Sequence, residues 1–120
     1  MLYSIDKQQY IGAIPHQHEY DIWKDRLTPE QFQRVWEELN DRIDGDEIHT
    51  SSWIPGNNWA GTVYEPLANA CEGDLDASGK FFGLILWEVM LRRPEVWSFG
   101  RYEKDGIPIQ GMTYFRLKRM

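Results

Sequence analysis

The stretch that decides the fold is Phe81-Phe82-Gly83-Leu84-Ile85-Leu86-Trp87-Glu88-Val89-Met90-Leu91. Apolar side chains occupy almost every position, and a helix that is apolar all round lies inside a protein. Asp76 or Ser78 can cap the start of this helix, and Pro94 ends it. The sequence therefore predicts a buried central helix from about residue 77 to 93.

A second helix, from about residue 28 to 44, has the pattern of a surface helix. Thr28 is a good N-cap, Pro29 follows at the first helical position, and Gln31 completes a capping box. Gly45 suits the C-terminal end. Its apolar residues repeat at helical spacing along one face, namely Phe32, Val35, Trp36, Leu39 and Ile43. We expect this amphipathic helix to cover the core.

The C-terminal quarter is typical of antiparallel strands. Two segments with strand character, Trp97 to Lys104 and Ile107 to Leu117, flank the turn dipeptide Asp105-Gly106, which predicts a β-hairpin. Pro108 marks the second strand as a sheet edge, and Gly111 indicates a bulge. Alternation puts Thr113, Phe115 and Leu117 on one face of that strand, and Met112, Tyr114 and Arg116 on the other.

The remaining segments have weaker patterns. Strands are expected at Leu2 to Ile5 and at Glu47 to Trp53, a helical turn at 21–27, and a short helix at about 63–72 with Cys71 on its inner side. The expected architecture is a single α+β domain. It has a buried central helix packed on an antiparallel sheet, a C-terminal β-hairpin and an amphipathic covering helix.

Length, charge and cysteine content exclude several classes of protein. The chain has 120 residues, which is the usual size of one domain, and a net charge of -6. Residues 1–60 carry five Lys and Arg against eleven Asp and Glu, and this acidic half disfavours nucleic-acid binding. The apolar run 81–87 is too short to cross a membrane, which needs about 20 residues. With Cys71 as its single cysteine the chain forms no internal disulfide, so we expect a cytoplasmic protein.

Two histidines form the only metal-binding pattern that the sequence suggests. On an extended strand, His16 and His18 would point the same way and could grip one metal ion, with His49, Glu19 or Asp21 as further ligands. Solvated histidines in a loop explain the pattern better, because the ligand set is sparse. We therefore expect no tight metal site and no cofactor.

No motif in the sequence fixes a reaction. A catalytic Cys71 would need an accessible thiol with a lowered pKa, and burial on an inner helix face makes a thiol inert. The carboxylates Asp44, Asp46 and Glu47 follow the first long helix, where a solvated turn accounts for them better than a pair facing each other across a cleft.

The best candidate site is the stretch Ser51-Ser52-Trp53-Ile54-Pro55-Gly56-Asn57-Asn58-Trp59, which we call the tryptophan loop. Its two indole rings offer stacking area, and its Asn and Ser side chains offer directional hydrogen bonds. The alternative is that both rings fold inward and pin the loop to the core. The predicted binding residues are Ser52, Trp53, Asn57, Asn58 and Trp59, with Arg101 and Glu103 of the hairpin close by.

These observations favour a small binding or interaction domain over an enzyme. The alternative is a small hydrolase or ligand-sequestering protein with a pocket under the tryptophan loop. The partner would be a small molecule or a protein. A homodimer is also expected, because Pro108 and Gly111 mark a sheet edge that needs covering, and Tyr114 and Arg116 suit an interface.

Overall fold

The computed structural model describes residues 1–56, 58–109 and 111–117, and it confirms a compact α+β domain. In chain order the elements are β1 (Leu2–Ser4), β2 (Gln9–Ile11), α1 (Gln17–Asp25), α2 (Pro29–Asp44), β3 (Ile48–Thr50), α3 (Glu65–Ala70), α4 (Leu75–Arg92), β4 (Trp97–Gly100), β5 (Glu103–Lys104), β6 (Ile107–Pro108) and β7 (Thr113–Arg116).

Helix α4 is the buried central helix that its composition predicts. Every residue from Phe81 to Met90 is buried or half-buried, and α1, α2 and α3 all contact this helix. It begins earlier than expected, because Asp74 is the N-cap and its side chain accepts a hydrogen bond from the backbone N–H of Ala77 at 3.1 Å. Trp87 is half-buried rather than fully buried, and its indole N–H donates to the carbonyl of Ala13 at 3.0 Å.

Helix α2 confirms the capping pattern in the sequence. Thr28 Oγ1 accepts from the backbone N–H of Gln31 at 3.1 Å, and the Gln31 side chain accepts from the backbone N–H of Thr28 at 3.0 Å. The predicted apolar face points inward, where Val35, Leu39 and Ile43 are buried. The helix therefore covers the core as expected.

The main sheet is mixed, so the prediction of a purely antiparallel sheet is wrong. Its five strands run in the order β2-β1-β4-β7-β3. β1 pairs with β4 in parallel, with Leu2 opposite Trp97, while the other three pairings are antiparallel. The chain reaches β4 from β1 through all four helices, and a long crossover of this kind permits parallel pairing. The short strand β2 was not predicted.

The C-terminal hairpin exists, but it is divided in two. β4 and β7 pair inside the main sheet, from Trp97 opposite Arg116 to Gly100 opposite Thr113. Beyond them, β5 and β6 form a separate two-stranded ribbon around the predicted Asp105-Gly106 turn, in which both residues have positive φ. We call residues 101–109 the hairpin arm.

The argument from which a homodimer was expected is wrong for β7 and Tyr114, although Pro108 does lie on an edge, in the exposed two-stranded ribbon. β7 is an internal strand between β4 and β3, so it is not a sheet edge. Tyr114 is only 1% exposed, and its ring lies against Trp87 of α4 at a centroid distance of 6.4 Å. A buried core residue cannot form part of an interface, so any self-association must use another surface.

Within the described part of the chain, no helix has the length and apolar character that a membrane crossing requires.

Candidate interaction surface

The two faces of the main sheet have different environments. On the inner face, the side chains of Leu2, Trp97 and Tyr114 are buried, and Trp87 of α4 packs edge-on against Phe99 at 4.8 Å. Side chains alternate between faces along a strand, so the residues between these positions point away from the helices. We call that opposite side the outer face.

One row of side chains crosses the whole outer face. The strand register places Tyr10 opposite Tyr3, Ser98 opposite Phe115, and Phe115 opposite Ile48. Ser98 also joins Tyr3, because its hydroxyl donates to the Tyr3 carbonyl at 2.8 Å. The outer row is therefore Tyr10, Tyr3, Ser98, Phe115 and Ile48, one residue from each of five strands.

The ends of the outer row are open to solvent. Tyr10 on the edge strand β2 is 62% exposed, and Ile48 on the opposite edge strand β3 is 61% exposed. Tyr3 packs edge-on against Tyr10 with ring centroids 5.1 Å apart, and both Tyr3 and Phe115 are half-buried. Solvent-exposed side chains thus flank a centre in which two half-buried aromatic rings, Tyr3 and Phe115, lie on either side of the buried Ser98.

The hairpin arm places one more aromatic ring on this face. The Tyr102 ring lies 6.2 Å from that of Phe115, in an edge-on arrangement. It also covers Gly100, where a Cβ atom would meet the Tyr102 hydroxyl at 2.8 Å. Gly100 is needed here because any side chain would displace the ring. Tyr102 itself remains 44% exposed.

The outer face carries no charge at the positions that the register defines. The outer row is neutral, and so is the next row, formed by Gly100, Thr113 and Thr50, in which the last two hydroxyls are hydrogen-bonded at 2.9 Å. At the other end of β4 and β7, Val96 and Leu117 are joined by a backbone hydrogen bond of 2.9 Å. Ser98, Thr50 and Thr113 are themselves buried, so the accessible part of this face consists of the exposed Tyr10 and Ile48 and the half-buried Tyr3 and Phe115, none of which carries a charge.

The two indole rings of the tryptophan loop have different environments. Trp53 is 61% exposed, whereas Trp59 packs on Tyr64 and Phe82, with ring centroids 6.2 and 6.0 Å away. The Trp59 indole N–H donates to the Gly56 carbonyl at 3.1 Å, which closes the loop. Trp59 thus matches the inward alternative, and Trp53 remains available to a ligand.

The polar residues of the loop hold backbone turns. Asn58 is exposed, and its side-chain oxygen accepts from the backbone N–H of Ala60 at 3.1 Å. Ser52 is half-buried, while Asn57 lies outside the described residues. Ser51, the first residue of the loop, is buried and makes two hydrogen bonds of 2.9 Å with the backbone of Met112. The start of the loop is therefore held against the residue that precedes β7.

The structure brings the loop and the hairpin arm to the same end of the sheet. The loop leaves the sheet after Thr50, and the arm leaves it between Gly100 and Thr113, which are paired neighbours in one row. Arg101 and Glu103 are exposed on the arm. Their role in binding stays a prediction.

The histidine pair does not have the geometry of a metal site. His16 is the N-cap of α1 with a φ of 52°, and His18 lies inside the helix, so the two do not lie on the extended strand that a shared metal ion would have required. His16 Nδ1 lies 3.7 Å from a Glu19 carboxylate oxygen. His49 instead donates from Nε2 to the carbonyls of Ile43 and Asp46 at 3.1 and 2.9 Å. In the described ranges, no three His, Cys, Asp or Glu side chains gather as metal ligands would.

Charged residues meet in a cavity of about 460 Å³ between the ends of α2 and α4 and the strand β4. Arg93 forms ion pairs with Asp44 and Glu95 there, and its guanidinium donates to Asn40 Oδ1 at 2.7 Å. Glu95 also accepts from the Trp97 indole at 3.2 Å. Asp44, one of the three acidic residues near the end of α2, is thus paired with Arg93. This ion-pair network joins the end of α2 to the segment between α4 and β4.

Cys71 is buried, as its predicted inner position requires. Burial raises the pKa of its thiol, and this outweighs the lowering effect of a hydrogen bond with Ser78. We expect the folded protein to react with a thiol reagent at pH 7.5 at least a hundredfold more slowly than the protein in denaturant, because the thiolate is both scarce and inaccessible. The rate of absorbance change with an aromatic disulfide reagent measures this. Equal rates in the two conditions would show that the thiol is accessible and reactive.

Comparison with known proteins finds no match for the chain among family models, curated proteins or solved structures.

The outer row was missed because the sequence pattern does not reveal it. Tyr10 lies on a strand of three residues, too short to show alternation, and Tyr3 and Ile48 lie on strands of the same length. The alternation of Phe115 with Tyr114 was predicted, but not which of the two faces the core. Only the strand order brings the four large side chains of the row together.

Proposed function

We propose that this protein is a binding domain whose docking surface is the outer face of its sheet, and that its partner is a protein surface of matching apolar character. The observation that carries the proposal is the neutral outer row, with Tyr10 and Ile48 exposed at its two ends. A sheet face covered by solvent is normally polar, because antiparallel sheets alternate apolar and polar residues. Large exposed apolar patches mark interaction sites.

Two features favour a protein partner over other ligands. Aromatic residues are enriched and charges depleted in the centres of protein interfaces, which is the composition of this face. A nucleic acid would require cations, whereas the face is neutral and the chain has a net charge of -6. The single buried Cys71 suits a reducing compartment, so we expect the domain to act in the cytoplasm.

The alternative is a small hydrolase or ligand-sequestering protein that uses the tryptophan loop. The exposed Trp53 is the observation in its favour, because a free indole at a loop tip is a ready stacking surface. The described side chains of the loop supply no acid or base, so this reading fits binding better than hydrolysis. Trp53 lies at the end of the sheet from which the hairpin arm also leaves, where it can border the proposed surface.

Charge placed on the exposed ends of the outer row tests the proposal. Tyr10→Glu and Ile48→Lys change well-exposed side chains, so we expect both variants to fold with unchanged melting temperatures. Leu75→Glu is the matched control, because Leu75 is 84% exposed on α4. In affinity capture from expressing cells, the protein retained by wild type and by the control should be lost in both face variants.

Two outcomes of this capture experiment would contradict the proposal. If the face variants retain the same protein as wild type while Trp53→Ala loses it, the tryptophan loop is the binding surface. If none of these variants changes what is retained, the outer face is not a docking surface.

A further inference from the structure

We propose that the outer face binds a second copy of this chain, and that the two sheets pack face to face about a two-fold axis parallel to the strands and close to β4. This inference rests on the docking role proposed above and names the partner. It replaces the dimer through β7 that Tyr114 suggested, since β7 is an internal strand and Tyr114 is buried.

The distribution of charge favours a second copy. Each chain has a net charge of -6, all of it attributable to residues 1–60, so most ways of bringing two copies together place like charges close to each other. The outer face is the exception, because neither its outer row nor the neighbouring row contains an ionisable acid, Lys or Arg. A two-fold contact uses the same patch twice, and a neutral apolar patch is complementary to itself.

The order of side chains along the outer row fixes the orientation. An axis parallel to the strands reverses the row, so Tyr10 of one copy meets Ile48 of the other, and Tyr3 meets Phe115. Ser98, at the centre, is 0% exposed, so the contacts on either side of the axis are made by Tyr3 and Phe115. A perpendicular axis would instead stack Tyr10 on Tyr10 at one edge and Ile48 on Ile48 at the other. Packed sheets keep a nearly constant separation of about 10 Å, which favours the larger Tyr10 opposite the smaller Ile48 at the two edges, whereas Tyr3 and Phe115 are similar in size and do not distinguish the two axes.

The size of the face predicts a reversible dimer. Five strands at a spacing of about 4.8 Å give a width of roughly 24 Å, and the four residues of β4 give a length of roughly 13 Å. The resulting area, on the order of 300 Å² in each copy, is less than half that of a standard interface. The exposed Tyr102 and Ile107 of the hairpin arm can add to it. We therefore expect a dissociation constant in the micromolar range, on the order of 1–100 μM.

A mixing experiment with two charge variants tests the partner and the orientation together. In a Tyr10→Glu dimer, two carboxylates face Ile48, and in an Ile48→Lys dimer, two ammonium groups face Tyr10. Each variant alone should dimerise at least tenfold more weakly than wild type. In a one-to-one mixture, Glu at position 10 of one copy faces Lys at position 48 of the other, while the second pair of contacts keeps its wild-type residues.

Sedimentation equilibrium between about 5 μM and 500 μM measures the outcome, with Leu75→Glu as the control. We expect wild type and the control to approach twice the 14.2 kDa chain mass, the single variants to remain near it, and the mixture to regain the dimer. A wild type that stays monomeric, a dimer that both variants leave unchanged, or a mixture that shows no recovery would each overturn the proposal.

This inference can fail while the docking role stands. If wild type is monomeric throughout the concentration range but Tyr10→Glu and Ile48→Lys both lose a protein that wild type captures, the outer face binds a different protein. If the chain is monomeric and capture is unaffected as well, both proposals fail.

Discussion

Leu84→Ala is expected to lower the free energy of unfolding by about 3–4 kcal/mol. Leu84 is 5% exposed in the middle of α4, the helix that α1, α2 and α3 contact. Truncation removes three buried carbon atoms and leaves a cavity that a helix enclosed by three others cannot easily close. Domains of this size are stable by only about 5–15 kcal/mol, so the loss is a large fraction of the total.

Leu75→Ala is the matched control, because it is the same substitution in the same helix at a residue that is 84% exposed. We expect it to change the unfolding free energy by less than about 0.5 kcal/mol. Urea denaturation followed by tryptophan fluorescence measures both variants. A loss below about 0.5 kcal/mol for Leu84→Ala as well would show that α4 is not the centre of the core.

Arg93→Met is expected to lower the unfolding free energy by about 2–3 kcal/mol, somewhat less than a fully buried ion pair. The Arg93 side chain is 12% exposed and pairs with Glu95, whose side chain is 17% exposed. Removing the cation leaves that carboxylate largely desolvated and without its ionic partner. The double variant Arg93→Met/Glu95→Gln should recover part of the loss, because the one charge then left without its partner is that of Asp44, whose side chain is 65% exposed and stays hydrated. If the double variant is as unstable as the sum of the two single ones, the pair is not coupled.

The contacts of Glu95 with Arg93 and Trp97 also predict that the stability of the protein depends on pH. Burial alone would raise the pKa of Glu95, but hydrogen bonds from Arg93, from its own backbone N–H and from the Trp97 indole outweigh burial and hold the pKa below the usual 4.5. A carboxyl group with a lowered pKa in the folded state stabilises the protein above its unfolded pKa, and this stabilisation disappears as the pH falls through the folded value.

Denaturation of wild type and Glu95→Gln from pH 7 to pH 3 tests this dependence. The two stability profiles should differ most near neutral pH and should converge below pH 4.5. Glu19→Gln is the control, because Glu19 also has a lowered pKa beside Lys80 but its side chain is 46% exposed, against 17% for Glu95. Parallel profiles for wild type and Glu95→Gln would contradict the assignment.

The helices could be predicted from the sequence because their signals are local. The Thr28 and Gln31 capping box and the apolar spacing of α2 act within a few turns, and the structure reproduces them. The start of α4 was placed too late, since both Asp74 and Asp76 are acceptable caps by residue type. The structure uses Asp74, which directly follows Gly73 with its φ of 78°.

The candidate surface could not be predicted because it depends on pairings between distant segments. Tyr10 and Ile48 are 38 residues apart in the sequence, and they share the outer row only because β1, β4 and β7 lie between their strands. Residue types alone pointed instead to the tryptophan loop. There one of the two indoles, Trp59, proved to anchor the loop against Tyr64 and Phe82.

Radical footprinting inside cells that express the protein tests the docking role of the outer face most directly. Oxidation of Tyr10, Tyr102 and Ile48 in cells is compared with that in dilute purified protein, with Leu75 as the exposed reference and Trp53 as the reporter of binding at the tryptophan loop. We expect the three outer-face side chains to be protected several-fold in cells, and Leu75 to be labelled equally in both conditions. Equal labelling of Tyr10, Tyr102 and Ile48 in both conditions would contradict the account.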